Sequence, residues 1–263
     1  LINIEQDDKV KAFICTQDLK DEDYINSQFV IMATKKGQVK KTSLEQYSRP
    51  RTNGINAITI KEDDELLEAK LTTGASQVML ALKSGKAIRF EEAKTRPMGR
   101  GASGVRGITL AHETDEVIGM IAVDDMESNI LVVSENGYGK RSSLEDYRIT
   151  NRGGKGVKTI SITEKTGNLV SIKNVIDEDD LMIINKSGVA IRLAVEDLRV
   201  MGRATQGVRL INLKANDSIA AVAKVMREDE DEIDDSEELT NEAIKETNLS
   251  QTGEASADTQ EEE

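Results

Sequence analysis

"ILVVSENGYGKRSSLEDYRITNRGGKGVKTISI", residues 130–162, packs a β-branched run, a glycine turn, a second short run and a cationic glycine-rich box into 33 residues. Strand-like runs on both sides of Gly137 read as a hairpin. "SLEDY" is long enough for one helical turn at most. The three glycines of "NRGGKGVKTI" (151–160) suit a backbone that needs positive φ or close approach to another strand. They leave open why Arg152, Lys155 and Lys158 stand among them.

Both elements recur along the chain. "FVIMATKKGQVKKTSLEQY", "VMLALKSGKAIRF" and "LMIINKSGVAIRLAVEDL" repeat the hairpin, with turn glycines Gly37, Gly85, Gly137 and Gly188 spaced by 48, 52 and 51 residues. "RTNGINAITI", "RGASGVRGITL" and "RATQGVRLINL" repeat the box, with final glycines Gly54, Gly104, Gly156 and Gly207 spaced by 50, 52 and 51. The opening "LINIEQDDKVKAF" matches the strand that comes after a box, so the chain carries the end of one repeat and then four whole ones. Units of this length, with about four short strands each, point to an all-β, propeller-like array of four-stranded blades. One blade cannot bury both faces of its sheet, and stacked neighbours supply the core. Pro50 and Pro97 fall in box-approach loops, where a missing N–H is tolerated.

Charge follows the same period. The formal net charge is −13, but residues 228–263 hold 16 acids and one Lys, while residues 1–227 carry a net +2. The acidic "EDEDEIDDSEE" and the polar residues after it cannot bury enough apolar surface to offset chain entropy, so 228–263 is expected to be a disordered acidic tail behind a folded domain at 1–227. The tail reads either as a solubilising appendage or as a mimic of DNA that competes for a basic surface. Within the domain, windows running from hairpin turn through box are positive: +5 at 35–54, +5 at 83–107, +4 at 136–158 and +3 at 186–209. The windows after the boxes are negative: −3 at 55–82, −7 at 108–135 and −3 at 159–185.

Equivalent positions of a blade array lie on equivalent edges, so the boxes are expected to line one rim. A continuous basic stripe is the footprint of a polyanion. With four Tyr, three Phe and no Trp, base-stacking platforms for single strands are scarce, which favours duplex DNA held by its phosphates. The expected contacts are Lys40, Lys41, Arg49, Arg51, Lys86, Arg89, Arg96, Arg100, Arg106, Lys140, Arg141, Arg148, Arg152, Lys155, Lys158, Arg192, Arg203 and Arg209. A protein-interaction scaffold of propeller type is the reading from another class.

Other functions find little support. There is no GxxxxGK[ST] loop, and "GRGASG" at 99–104 lacks the helix that a dinucleotide fingerprint needs. One Cys and one His, Cys15 and His112, cannot assemble a zinc site or a Cys–His pair. Cys15 reads as a small core residue and His112 as a solvated turn residue. Phe29 and Phe90 read as core. A lone Cys suits a reducing cytosol, and no apolar run is long enough for a transmembrane helix. Leu1 is not an initiator Met, and the chain reads as a piece of something longer.

"YRITNRGGKGVKTI", "ENGYGKR", "GRGASGVRGITL" and "GRATQGVRLI" together resemble the C-terminal domain of the A subunit of bacterial DNA gyrase, over residues 1 to about 227. That resemblance implies a six-bladed β-pinwheel with strands exchanged between blades, and duplex DNA wrapped on its basic perimeter. It implies part of an ATP-dependent type II topoisomerase that introduces negative supercoils. The A2B2 heterotetramer would unite two copies of the A chain with two of the B chain, in the bacterial cytoplasm at the nucleoid. No cofactor is expected in this part, since ATP and Mg2+ would belong elsewhere in the holoenzyme. The family's hallmark box reads Gln-Arg-Arg-Gly-Gly-Lys-Gly, and residues 150–156 match five of its seven positions in a later blade. None of Tyr24, Tyr47, Tyr138 or Tyr147 stands in the context of the catalytic tyrosine. The corresponding chain of topoisomerase IV has a related domain, but the regularity of the four repeats favours gyrase.

Overall fold

The computed structural model describes residues 8–227 except 215; the expected acidic tail, 228–263, lies outside the described residues. The chain divides into residues 1–225 and 226–263, and the blades belong to the first unit. The one α-helix among the described residues, Glu22–Ser27, was not expected from the sequence. Asp21 caps it, accepting from the N–H groups of Asp23 and Tyr24.

Four antiparallel hairpins form where the glycine turns predict them. They are β1 (Phe29–Thr34) with β2 (Gln38–Ser43), β4 (Gln77–Leu82) with β5 (Lys86–Glu91), β8 (Asn129–Ser134) with β9 (Tyr138–Ser143), and β12 (Asp179–Asn185) with β13 (Ala190–Ala194). A strand later in the chain returns along the first strand of each hairpin: β3 (Leu66–Thr72), β7 (Val117–Val123), β11 (Leu169–Val175) and β15 (Ile219–Met226). Short 3-10 turns follow the second strands at Leu44–Tyr47, Glu92–Lys94 and Leu144–Asp146, matching the single helical turn expected of "SLEQY" and "SLEDY".

The fourth strand of a blade comes from the next repeat. Two-residue strands inside the boxes, β6 (Val105–Arg106), β10 (Val157–Lys158) and β14 (Val208–Arg209), pair with the second hairpin strand of the preceding repeat. The sheets therefore run β3-β1-β2-β6, β7-β4-β5-β10 and β11-β8-β9-β14, and the last is three-stranded, β13-β12-β15. Exchange of the edge strand satisfies backbone groups that a lone hairpin would leave open.

Hydrophobic clusters lie between consecutive sheets. Ile31, Val39, Leu80, Phe90 and Ile108 join the first to the second, Met79, Ile121, Val132 and Tyr147 the second to the third, and Leu131, Leu181, Ile183 and Ile219 the third to the fourth. β7 packs against both β3 and β11, which makes the returning strands the inner ones and the box strands the outer ones. Phe90 is fully buried as expected, and Phe29 is half-buried with the Lys41 ammonium 4.8 Å from its ring centre. His112 is exposed, as expected. Cys15, expected in the core, is exposed. Its segment forms no strand, and neighbouring Phe13 is 88% exposed, so apolar composition alone did not bury it.

The box glycines answer the backbone half of the opening question. Gly104 and Gly156 have φ of +87° and +70°, and a Cβ there would lie 2.5 Å from the Val39 carbonyl oxygen and 2.6 Å from that of Ala87. These glycines let the box lie flat on the preceding hairpin. Gly54 has φ of +72° with open space around it. Gly54→Ala should then cost only the left-handed strain, roughly 1–2 kcal/mol. Gly156→Ala should cost clearly more, because the added methyl also collides with backbone. Urea midpoints of the two variants measure the difference, and equal midpoints would mean that close approach is not what Gly156 supplies.

Candidate nucleic-acid interface

Successive boxes are hydrogen-bonded into a chain. Thr59 donates its N–H to Ala102 O (3.3 Å) and its hydroxyl to Gly101 O (2.8 Å). Thr109 donates its N–H to Gly154 O (2.9 Å) and its hydroxyl to Gly153 O (2.7 Å). Ser161 donates its N–H to Thr205 O (3.0 Å). Boxes two to four also hang on hairpin turns: Gly107 and Ile108 donate to Gly37 O, Thr159 and Ile160 to Gly85 O, Leu210 and Ile211 to Gly137 O. Boxes one to four therefore form a continuous outer edge.

Three cationic slots recur in boxes two to four. The first holds Arg96, Arg148 and Arg199, the second Arg100, Arg152 and Arg203, and the third Arg106, Lys158 and Arg209. All residues of the first and third slots are exposed, as are Arg49, Arg51 and Lys155; those of the second slot and Lys86 are half-buried. None of these cations enters a salt bridge among the described residues. Arg199 was not among the expected contacts, although its spacing from Arg148 is the 51 residues of the repeat.

The second slot also ties blades together. Arg152 donates from Nε to Lys94 O (3.1 Å) and from Nη1 to Arg106 O (3.1 Å). Arg203 makes the equivalent pair, to Asp146 O (3.0 Å) and Lys158 O (2.7 Å). A rigid guanidinium fork suits two carbonyls on neighbouring elements and keeps other N–H groups free. In the third slot, Arg106 stands opposite Gln38, Lys158 opposite Lys86, and Arg209 opposite Tyr138. Arg209 donates to the Tyr138 hydroxyl from Nη2 at 2.8 Å, and this bond draws the phenol below its ordinary pKa. A cleft of about 210 Å³ beside box three is lined by Arg148, Thr150, Asn151, Gly154 and Lys155, which brings side-chain cations and glycine backbone to one place.

Six of the expected contacts are placed differently. Lys40, Lys41, Arg89, Lys140 and Arg141 are buried. Lys40 Nζ donates to Arg100 O (2.6 Å) and to Ala57 O, and Lys140 Nζ to Gly202 O (2.6 Å). Arg89 Nη1 donates to Leu144 O (2.7 Å) and Tyr147 O (3.0 Å), around the 3-10 turn of the next repeat. Lys41 faces Glu92, with 3.6 Å between ammonium and carboxylate, and Arg141 pairs with Asp177. In the first three blades both faces of the second hairpin strand are covered, one by a box loop and the other by the following blade, so alternation frees neither neighbour. Arg192 occupies the slot of Arg89 and Arg141, is exposed, and is paired with Asp180 at 2.6 Å.

The acidic windows are engaged on the other side of the hairpin turns. Glu65 binds Lys35 (3.3 Å) and Lys11 (2.7 Å), Glu116 binds Lys83 (3.1 Å), and Asp115 accepts from Ser84 N–H and hydroxyl. Among the described residues there is no helix long and apolar enough to cross a membrane and no side-chain cluster suited to a metal.

The fold and its edge define a class: strand-exchanged propeller blades with repeated cations on the outer edge that form no salt bridge among the described residues. The family model described as DNA gyrase C-terminal domain, beta-propeller, matches residues 28–73, 78–124, 128–176 and 179–226, one match per blade, and the chain belongs to that family. The A subunit of DNA gyrase from Staphylococcus aureus (strain NCTC 8325 / PS 47) is 46% identical over 240 residues, covering 91% of this chain and 26% of the relative. The chain thus spans about a quarter of the length of the curated relatives it matches. A solved gyrase A C-terminal domain superimposes with a TM-score of 0.69 at 25% identity, covering 76% of this chain and 67% of that one. The C-terminal domain of DNA topoisomerase IV superimposes with a TM-score of 0.73 at 24% identity, covering 77% and 63%, which bears on the fold alone.

The buried lysines make a pH-dependent contribution to stability. Burial pushes the Lys40 ammonium down from 10.5 to about 8, with Arg100 adding to the effect. Burial also brings Lys140 to about 8, with Asp146 opposing and Arg203 reinforcing. Below about pH 8 both states are protonated and the cost of burying charge is fully present. Between about 8 and 10.4 the unfolded chain holds more protons at these sites, so rising pH favours the native state. Urea unfolding at about pH 7 and about pH 9.5 should show the parent gaining on Lys40→Met/Lys140→Met at the higher pH. A constant gap would show that neither amine is shifted.

Proposed function

We propose that this domain bends and wraps duplex DNA along the chain of boxes, as the DNA-wrapping part of the A subunit of a type II topoisomerase. The supporting observation is the repetition of uncompensated cations on one hydrogen-bonded edge. Lys86 and Lys158 stand directly opposite each other on adjacent strands, an arrangement that costs stability on the scale of roughly 0.2–1 kcal/mol. A phosphate backbone laid along that edge reverses the sign of the cost. Smooth bending of a 20–30 bp site by 40–90° costs on the order of 1–6 kcal/mol. Phosphate contacts from several blades, each releasing counterions, offset that.

In the whole enzyme, such wrapping presents a crossing segment of the same DNA for strand passage, and the ATP-driven reaction then introduces negative supercoils. ATP, Mg2+ and the other chains of an A2B2 assembly, two B chains and a second A chain, act through other regions, in the bacterial cytoplasm at the nucleoid. The 46% identity to a gyrase A chain, and the family match in every blade, favour gyrase over topoisomerase IV.

The cleanest substitutions avoid cations that also tie blades together. Arg148→Glu/Lys158→Glu removes exposed charges with no carbonyl staple, whereas Arg152 and Arg203 hold neighbouring elements. The double variant should unfold at a urea midpoint no lower than that of the parent, since it also ends the repulsion between Lys86 and Lys158, and should bind linear duplex more weakly at every sequence. The slope of log K against log salt should fall by about 0.9 for each phosphate no longer neutralised. Unchanged binding in a folded variant, or binding by the parent without salt dependence, would remove DNA from this edge and leave a protein-interaction scaffold as the better account.

A further inference from the structure

We infer that the apolar residue behind the first arginine of each box is a wedge that enters the base stack of the duplex and kinks it. The inference rests on the perimeter being a DNA track. The approaches to boxes two, three and four carry Arg96-Pro97, Arg148-Ile149 and Arg199-Val200 at the spacing of the repeat, and the approach to box one carries Arg49-Pro50, one residue further from its hairpin glycine. All eight residues are exposed, with Ile149 at 47% and Val200 at 51%.

A single exposed apolar side chain is ordinary on any surface. Three at one slot of the repeat, each behind an exposed arginine, with a further such pair ahead of box one, are a pattern. Phosphate recognition has no use for them, since lysine, serine or glycine at that slot would serve a phosphate better. The apolar part of a duplex is its base stack, reached from the groove edges. Proteins that bend DNA insert Phe, Leu, Ile, Met or Pro between base steps from the minor groove, and the duplex then kinks by roughly 20–90°.

The backbone beneath Pro97, Ile149 and Val200 is held in place, as a wedge requires. Pro97 bridges to Lys41, Ile149 to Arg89 and Val200 to Arg141, in parallel register. The following residue donates its N–H to the same strand: Met98 to Lys41 O (2.7 Å), Thr150 to Arg89 O (2.9 Å) and Met201 to Arg141 O (2.8 Å). Those three cations are themselves buried and bonded into the next blade or an ion pair. The apolar side chain therefore stands on an anchored support, with the arginine before it able to reach a phosphate or a narrowed minor groove. A protein partner is disfavoured, because the four residues lie in four separate boxes among uncompensated cations and form no contiguous apolar patch.

The test uses the full chain with end-labelled duplexes that carry 2-aminopurine at successive base steps. Binding should raise 2-aminopurine fluorescence at a spaced subset of steps and shorten the end-to-end distance seen by energy transfer. Pro97→Ser/Ile149→Ser/Val200→Ser should lose the fluorescence rise and part of the shortening while keeping the salt slope of the parent. Ile149→Phe should enlarge the rise. Salt-dependent binding by the parent with no rise at any step, or a rise that survives in the serine variant, overturns the wedge and leaves the DNA track standing. Absence of salt-dependent duplex binding by the parent overturns the track, and the wedge with it.

Discussion

The carbonyl oxygen of each hairpin glycine decides how this chain is put together. Gly37, Gly85 and Gly137 each turn that oxygen outward, and each accepts two N–H groups from a box belonging to the following repeat. The bond fixes which repeat closes which sheet. It carries the box strand to the outside, opposite the start of the second hairpin strand. The positive φ of Gly104, Gly156 and Gly207 lets that strand lie against its neighbour at the required distance. Placement of cations on the outer edge follows from this exchange and needs no separate device.

Exchange also sorts the cations into two populations. Those on the second hairpin strand are roofed by a box on one side and a following blade on the other. They survive burial by donating to carbonyls, as Lys40 does to Ala57 and Arg100 and Arg89 to Leu144 and Tyr147, or by pairing with a carboxylate, as Lys41 and Arg141 do. A buried cation without such acceptors costs several kcal/mol. Among the described residues, the exposed cations of the box form no salt bridge with a carboxylate. Arg152 and Arg203 stand between the two populations, since each guanidinium commits part of its fork to two carbonyls and keeps the rest outward. In the first two blades the acidic turns are occupied on the inner side of the hairpins, by Lys35 and Lys83, so there the alternation of charge along the sequence becomes a separation of charge across the blade.

Much of this was legible from residue order alone. Glycine spacing revealed the number of repeats, the hairpins and the phase of the charge. Partnership was not legible. Nothing in "GVR" or "GVK" states that the strand pairs with a hairpin roughly a repeat upstream, because two residues carry no register signal of their own. Burial of Lys40, Lys41 and Arg89 was missed for a related reason. Alternation separates an inner from an outer face only when one face is wet, and stacked blades leave neither wet. Cys15 failed in the opposite direction, being apolar in sequence but without a strand partner. Arg199 was within reach, because the slot of Arg96 and Arg148 predicts it; window counting recorded its charge without recognising its position.

Regularity of this kind bears on what the edge can hold. A compact partner presents its own irregular surface, and the residues that meet it need not repeat. A duplex presents the same backbone at every helical turn, so a protein that follows it gains by offering the same slot again and again. The three cationic slots of boxes two to four, and the arginine-apolar pair that opens each of those three boxes, repeat in that way. The hydrogen bonds from Thr59, Thr109 and Ser161 to the next box keep those slots in fixed relation. A flexible string of basic loops could neutralise phosphates equally well, but it would follow the duplex without opposing its stiffness. Under the proposed wrapping, rigid spacing would direct the energy of many weak phosphate contacts into curvature.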